Sequence, residues 1–347
     1  MPKATKEEIN VKLKKFKMNW IKDNKIIVMI GSRGRGKSTI LLDYLYHNQD
    51  IPYACCIAPT DVFNNTFTPC IPSRFIFAEY TPELVKSFLK RQKHMKGKKM
   101  QAKSGYSNDT AYANADCRGI LIMDDCLADN KGWKTDHSLK WIFFNGRHAD
   151  ITFVLTMQYQ IGLTPDYRSN IDWVFLCKEN KKIERDKLWK YYAGIFPSLS
   201  MFEQIFMTCT TNKKCMVLDS LSDSETLTDQ VFWFKASLRG EFHVCYDEFW
   251  QNNEYYIKKR MSIEDPDAPG IGRSVANTQK PKQEDYYKYV GGRGKMKFNL
   301  DMCDEEDQYQ DDYEYMQQSG GMEQQQQQYQ QQQYQQSNYD NDNGNYW

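Results

Sequence analysis

The chain carries no cation after Lys297; its last fifty residues hold eleven acidic side chains and no Lys, Arg or His. That absence leaves 46 basic side chains against 34 acidic ones in residues 1–297, beneath a net charge of only +1 for the whole. A basic body with an acidic tail points to a polyanionic partner. The ten cysteines show no C-x-x-C pair and no metal-ligand spacing, which argues against a zinc site. Cys55, Cys56 and Cys177 lie inside apolar runs and read as buried, reduced thiols. No apolar stretch reaches the roughly 18 residues that a transmembrane helix needs. The opening residues, Met-Pro-Lys-Ala-Thr-Lys-Glu-Glu, lack the apolar core of a signal peptide. A reducing, intracellular compartment is the expectation.

What is present centres on residues 25–39. The run from Lys25 to Ile30 suits a strand buried on both faces. Gly31-Ser32-Arg33-Gly34-Arg35-Gly36-Lys37-Ser38 fits the G-x-x-x-x-G-K-[ST] phosphate-loop pattern at every fixed position, and Thr39 to Tyr46 follow as a helix. The three glycines allow the backbone to curl so that successive N–H groups point at phosphate oxygens. The helix N-terminus adds partial positive charge. By this pattern Lys37 reaches the β- and γ-phosphates of ATP and the Ser38 hydroxyl ligates Mg²⁺.

Before the loop, Ile9 to Trp20 alternate apolar and polar with one slip at Lys14-Lys15, which predicts a bulged strand within a basic arm over residues 1–24. After it, short strands are expected at Tyr53–Ala58 and Phe75–Phe77. A helix is expected from Pro82 to about His94. The densest basic run follows, and its charge reads as a loop. Lys90, Arg91, Lys93, Lys96, Lys98 and Lys99 are the candidate DNA contacts. Residues 101–118 read as polar loop.

Gly119 to Asp125 is the second anchor, a buried strand that ends in two acids. Asp124 is placed to hold Mg²⁺, and Asp125 to polarise an attacking water. A helix from Asp136 or His137 to Asn145-Gly146 leads into a strand at Ile151–Thr156, with Gln158 just beyond it. Active groups gather at the carboxyl ends of parallel strands, so Gln158 is placed to sense the γ-phosphate. Further strands are expected at Trp173–Leu176, Cys215–Leu218 and Val231–Phe234, the last two separated by a polar loop at 220–229. Helices are expected at Glu184–Tyr192 and Leu199–Thr208, and a closing helix within 242–256. Residues 25–260 form one domain on this reading. From 261 to 347 a linker and a Gln-, Asn- and Tyr-rich acidic tail lack the apolar content to fold, so disorder is expected there.

Together, Gly31 to Ser38, Ile120 to Asp125, the run from Asn145 through Arg147 and His148 to Gln158, and Arg168-Ser169-Asn170-Ile171-Asp172 resemble the poxvirus-type genome-packaging ATPases of nucleocytoplasmic large DNA viruses. These belong to the FtsK–HerA branch of P-loop NTPases. The resemblance covers roughly residues 15–250. It implies an α/β fold whose parallel core sheet has an additional strand between the phosphate-loop strand and the strand before the acids. It implies ATP hydrolysis with Mg²⁺ in a homo-oligomeric ring that moves double-stranded DNA into a capsid. It also implies capsid or membrane-associated packaging components as partners, and a place in the virion and the host cytoplasmic replication site. By position, Asp125 matches a catalytic acid that is Glu in many relatives, and Gln158 the polar sensor. Arg147 matches an arginine finger offered to the neighbouring subunit, with Arg168 as second choice.

Competing readings share the phosphate loop. A helicase or conjugation-type DNA pump would use the same core. A nucleoside or nucleotide kinase would usually lack the paired acids and the strand-end Gln. A non-hydrolysing scaffold would not need Lys37, Ser38, Asp124 and Asp125 intact.

Overall fold

The computed structural model describes residues 12–106, 110–126, 131–158, 162–251 and 253. The tail and residues 1–11, for which the sequence predicts disorder and part of a basic arm, lie outside the described residues.

The chain opens with β1 (Lys14–Lys15), β2 (Ile26–Ile30), α1 (Lys37–Tyr46), β3 (Ala54–Ile57), α2 (Asp61–Asn64) and β4 (Ile76–Phe77). Next come α3 (Pro82–Lys103), β5 (Gly119–Asp124), α4 (His137–Asn145), β6 (Ile151–Met157), α5 (Pro165–Arg168) and β7 (Trp173–Leu176). The last described elements are α6 (Lys182–Tyr192), α7 (Leu199–Cys209), β8 (Cys215–Asp219), α8 (Leu227–Gln230) and β9 (Val231–Phe234). One nine-stranded sheet takes the order β1-β9-β8-β7-β2-β6-β5-β3-β4. All neighbours run parallel except that β8 lies antiparallel to β7 and β9. β6 is the additional strand, inserted between β2 and β5, and the fold is that of a P-loop NTPase.

The continuous apolar runs arise because both sheet faces are covered. Side chains alternate across the pleat. Val28, Ile30, Leu121, Met123, Phe153 and Leu155 join one core with α3, α4 and α7. Ile27, Met29, Ile120, Ile122 and Val154 join the other, against Ile40, Leu41 and Tyr44 of α1. Pairing of Ile30 with Met157 and Leu176, and of Asp124 with Thr156, aligns the carboxyl ends of β2, β5, β6 and β7 along one rim.

Three expectations are corrected. The N-terminal segment pairs with β9 over only Lys14 and Lys15, then turns through a 3-10 helix at Met18–Trp20. Tertiary packing overrides the alternation: the Phe16 ring is buried 5.1 Å from Trp173 and 5.6 Å from Phe175. The basic run after His94 is helix, not loop, because α3 continues to Lys103. Lys favours helices, and the buried Phe88, Gln92 and Met95 keep the spacing of one helical face. The loop expected at 220–229 also contains the start of α8.

Residues 247–251 are helical, where a closing helix was expected. Before them the chain straps over α1. Ser237 N (2.9 Å) and Arg239 Nε (2.7 Å) both donate to the buried carboxylate of Asp43. Among the described residues, no helix is long and apolar enough to cross a membrane.

Candidate functional site

The phosphate loop is pinned where β2 ends. Gly31 N donates to Met157 O (3.1 Å) on one side, and Cys177 N donates to Ile30 O (2.8 Å) on the other. A Cβ on Gly31 would stand 2.5 Å from Cys177 Cβ, so this glycine is required by close approach rather than by its dihedral angles. Gly34 (φ 73°) and Gly36 (φ 92°) do adopt the left-handed conformation that glycine favours. No side chain caps α1 at Gly36, so the N-terminal amides of the helix face the loop. Lys37 is 8% exposed and folds back, its Nζ donating to Gly31 O at 2.7 Å. Ser38 and Thr39 are half-buried, while Arg33 and Arg35 project into solvent.

β6 and β5 deliver the remaining groups to the same rim. Asp124 is 5% exposed, and its Oδ1 accepts from Thr156 Oγ1 at 2.6 Å. Burial pushes the Asp124 carboxyl above its ordinary pKa; the Thr156 bond and Lys37 act against this, and Asp125 and Asp61 add to it. Asp125 takes a left-handed φ of 55°, and its N–H donates to Thr156 Oγ1 at 3.1 Å. That turn brings the Asp125 carboxylate to Gln158, whose Nε2 donates to Oδ2. Lys37, Asp124, Asp125 and Gln158 thus occupy the carboxyl ends of three adjacent strands.

Among the described residues no group of three or more His, Cys, Asp or Glu could cage a metal unaided. Mg²⁺ does not require one, since it is commonly held by one or two protein oxygens together with substrate phosphates. A Ser38 hydroxyl and a buried Asp124 carboxylate are hard oxygen donors of that kind, so the donor set fits the ion.

The two candidate fingers are not brought to this rim. Arg147 is exposed in the 3-10 turn at Gly146–Ala149, at the amino end of β6. Seven strand residues, about 23 Å, separate it from Gln158. Arg168 lies in α5 near the amino end of β7, donates to Leu163 O at 2.6 Å and stacks over Tyr191. The adjoining Asp172 is structural. Its Oδ2 accepts from Ile26 N at 2.7 Å, fixing the start of β2 against β7.

Four of the six basic candidates on α3 are tied within the chain. Arg91 stacks over Tyr53, Lys93 lies over Trp141, Lys96 pairs with Asp150 (2.5 Å) and Lys99 donates to Ala115 O (2.6 Å). Among the described residues, Lys90 and Lys98 form no ion pair.

Three residues at the rim carry contacts that sequence reading missed. Thr156 is a buried hydroxyl in a mostly apolar strand. Asp61 is buried after β3 and accepts from Phe67 N (2.6 Å) and Thr68 Oγ1 (2.7 Å). Glu179 is buried just past β7 and accepts from Ser32 Oγ at 2.8 Å. The only sequence signal for Asp61 and Glu179 is an acid shortly after an apolar strand.

No family model matches the chain. Protein L437 of Acanthamoeba polyphaga mimivirus is 42% identical over 225 residues, covering 65% of this chain and 77% of L437. Protein 015R of Frog virus 3 (isolate Goorha) is 32% identical over 213 residues, covering 60% of this chain and 61% of 015R. The genome packaging NTPase B204 from Sulfolobus turreted icosahedral virus 2, solved with AMPPCP, is 14% identical with a TM-score of 0.39, over 62% of this chain and 98% of B204. L437 and 015R come from nucleocytoplasmic large DNA viruses, the group to which the motifs point. The chain belongs to the family of mimivirus protein L437, and it carries the P-loop NTPase fold.

Proposed function

We propose that the chain is an ATP-hydrolysing motor that moves double-stranded viral DNA into a capsid, acting as a ring of identical copies. The observation that carries this reading is the meeting of Lys37, Asp124, Asp125 and Gln158 on one rim of the sheet. Lys37 leaves the carbonyl of Gly31 to hold the β- and γ-phosphates, while the backbone from Gly31 to Thr39 encloses them. Mg²⁺, held by Ser38 and Asp124, would neutralise charge on those phosphates. Asp125 accepts a proton from the attacking water, and Gln158, already bonded to Asp125, orients that water. Arg147 lies too far from its own rim to serve it, so it would act on a neighbouring copy, with Arg168 as the alternative.

The basic body supports a sequence-blind grip on DNA phosphates, with Lys90 and Lys98 as the untied contacts on α3. Residues 25–260 would form the motor, and the acidic segment after 261 a separate tail. The site of action would be the virion and the cytoplasmic replication site. The paired acids and strand-end Gln disfavour a kinase.

The test is ATPase rate against protein concentration, with and without long linear double-stranded DNA, at two salt concentrations, using Lys37→Ala as the blank. A rate that rises cooperatively and is stimulated by DNA is expected. A rate independent of both, and responsive to nucleosides, would replace the motor with a kinase. Strand separation in the same assay would indicate a helicase.

A further inference from the structure

We infer that Glu179 is a positioning residue of the nucleotide site: it latches the phosphate loop through Ser32, and its buried charge weakens the loop's grip on a triphosphate. This rests on the nucleotide reading above and extends it to control of affinity.

Glu179 is 6% exposed. One carboxylate oxygen accepts from Ser32 Oγ at 2.8 Å, and the other from Lys181 N at 2.9 Å. The turn that carries it is held from behind, because Arg185 donates to Asn180 O (2.6 Å) and Glu179 O (3.4 Å). Arg185 is itself anchored to Glu203 of α7 at 2.9 Å. The carboxylate is therefore fixed rather than free to swing away. Cys177, two residues earlier, packs so closely on Gly31 that a Cβ there would clash, so the segment just past β7 meets the loop at two consecutive loop residues.

The electrostatics follow from the position of Ser32. Its hydroxyl donates to Glu179, and its carbonyl lies 3.5 Å from the Lys37 ammonium. The negative Glu179 and the positive Lys37 flank Ser32 and offset each other. A triphosphate draws Lys37 to itself and leaves Glu179 one hydrogen bond behind a polyanion. The carboxylate then opposes a bound polyphosphate, ATP more than ADP because ATP carries more charge. Glutamine in its place can accept from Lys181 N and donate to the Ser32 hydroxyl, so Glu179→Gln changes charge while keeping the geometry.

The experiment measures dissociation constants of fluorescent ATP and ADP analogues for the full chain, for Glu179→Gln and for Ser32→Ala, at low and high salt, with thermal unfolding in parallel. Glu179→Gln should bind the ATP analogue about threefold to tenfold more tightly, with a smaller gain for ADP that shrinks in salt. Ser32→Ala keeps the charge and loses the latch, so it should bind more weakly. A purely structural carboxylate predicts weaker binding in both variants, and that result would overturn the proposal. So would unchanged affinity in Glu179→Gln. If Glu179→Gln does not fold, Ser32→Ala decides, and unchanged binding there removes the latch. Failure of the unaltered chain to bind either analogue would instead defeat the nucleotide reading itself.

Discussion

Gly31→Ala should unfold the protein more easily, and the structure sets the size of the effect. The new Cβ would lie 2.5 Å from Cys177 Cβ and 3.3 Å from its Sγ. Ordinary carbon contacts lie at about 3.5–4.0 Å, so the two strand ends must part by about 1 Å. Neither end is free to move. Gly31 N is bonded to Met157 O and Cys177 N to Ile30 O, and relief stretches one of those bonds. Overpacking of this kind costs about 1–3 kcal/mol, and pinned backbone on both sides places Gly31→Ala near 3 kcal/mol. At roughly 2–4 °C per kcal/mol for a domain of this size, Tm should fall by about 6–12 °C. Cys177→Gly removes the opposing Cβ and carries its own penalty of about 1–2 kcal/mol. The double variant should be more stable than the sum of the single effects, by about 1.5 kcal/mol or more. Urea unfolding followed by circular dichroism, without nucleotide, measures all four proteins. Strict additivity, or a Gly31→Ala protein within about 0.5 kcal/mol of the unaltered chain, would refute the close-approach reasoning.

Asp124→Asn should abolish turnover yet raise Tm in the absence of nucleotide. Burial raises the Asp124 pKa above its unfolded value, so its ionised form opposes folding at neutral pH, and the opposition fades as pH falls through the folded pKa. The stability gap between variant and parent should therefore narrow on acidification; a gap that widens would contradict the sign. Arg147→Ala should retain ATP binding and lose assembly-dependent hydrolysis by about a thousandfold, and normal hydrolysis at high protein concentration would exclude it as a finger. Replacing Lys90 and Lys98 by Ala should lower the log–log salt slope of DNA binding by about 1.8, whereas Lys96→Ala should destabilise the Asp150 contact and leave the slope unchanged.

The phosphate loop and the strands around it were legible because their residue types are dictated locally. A buried parallel strand must be apolar, and a phosphate cradle must be glycine-rich. Even there, the pattern gave the wrong reason for Gly31, whose neighbour Cys177 is remote in sequence. The Asp124 and Thr156 pair was half legible: the acid stands out at a strand end, but its hydroxyl partner depends on β6 lying beside β5. The α3 basic run was misread as loop because its charge density was taken for a break in the helix, which instead continues to Lys103. Cationic heads can sit over aromatic rings within the same chain, as those of Arg91 and Lys93 do on Tyr53 and Trp141. Phe16 escaped for a similar reason, since the rings that receive it come from β7 and β9.

Among the described residues, the outermost strands of the sheet, β1 and β4, are each two residues long, and β1 consists of two exposed lysines. Such margins offer no ladder of free amides and carbonyls for another strand to extend. Among the described residues, loops, helix faces and strand tips are therefore better suited than the sheet margins to contacts between copies. Contacts of that kind can slide and re-form without breaking backbone hydrogen bonds.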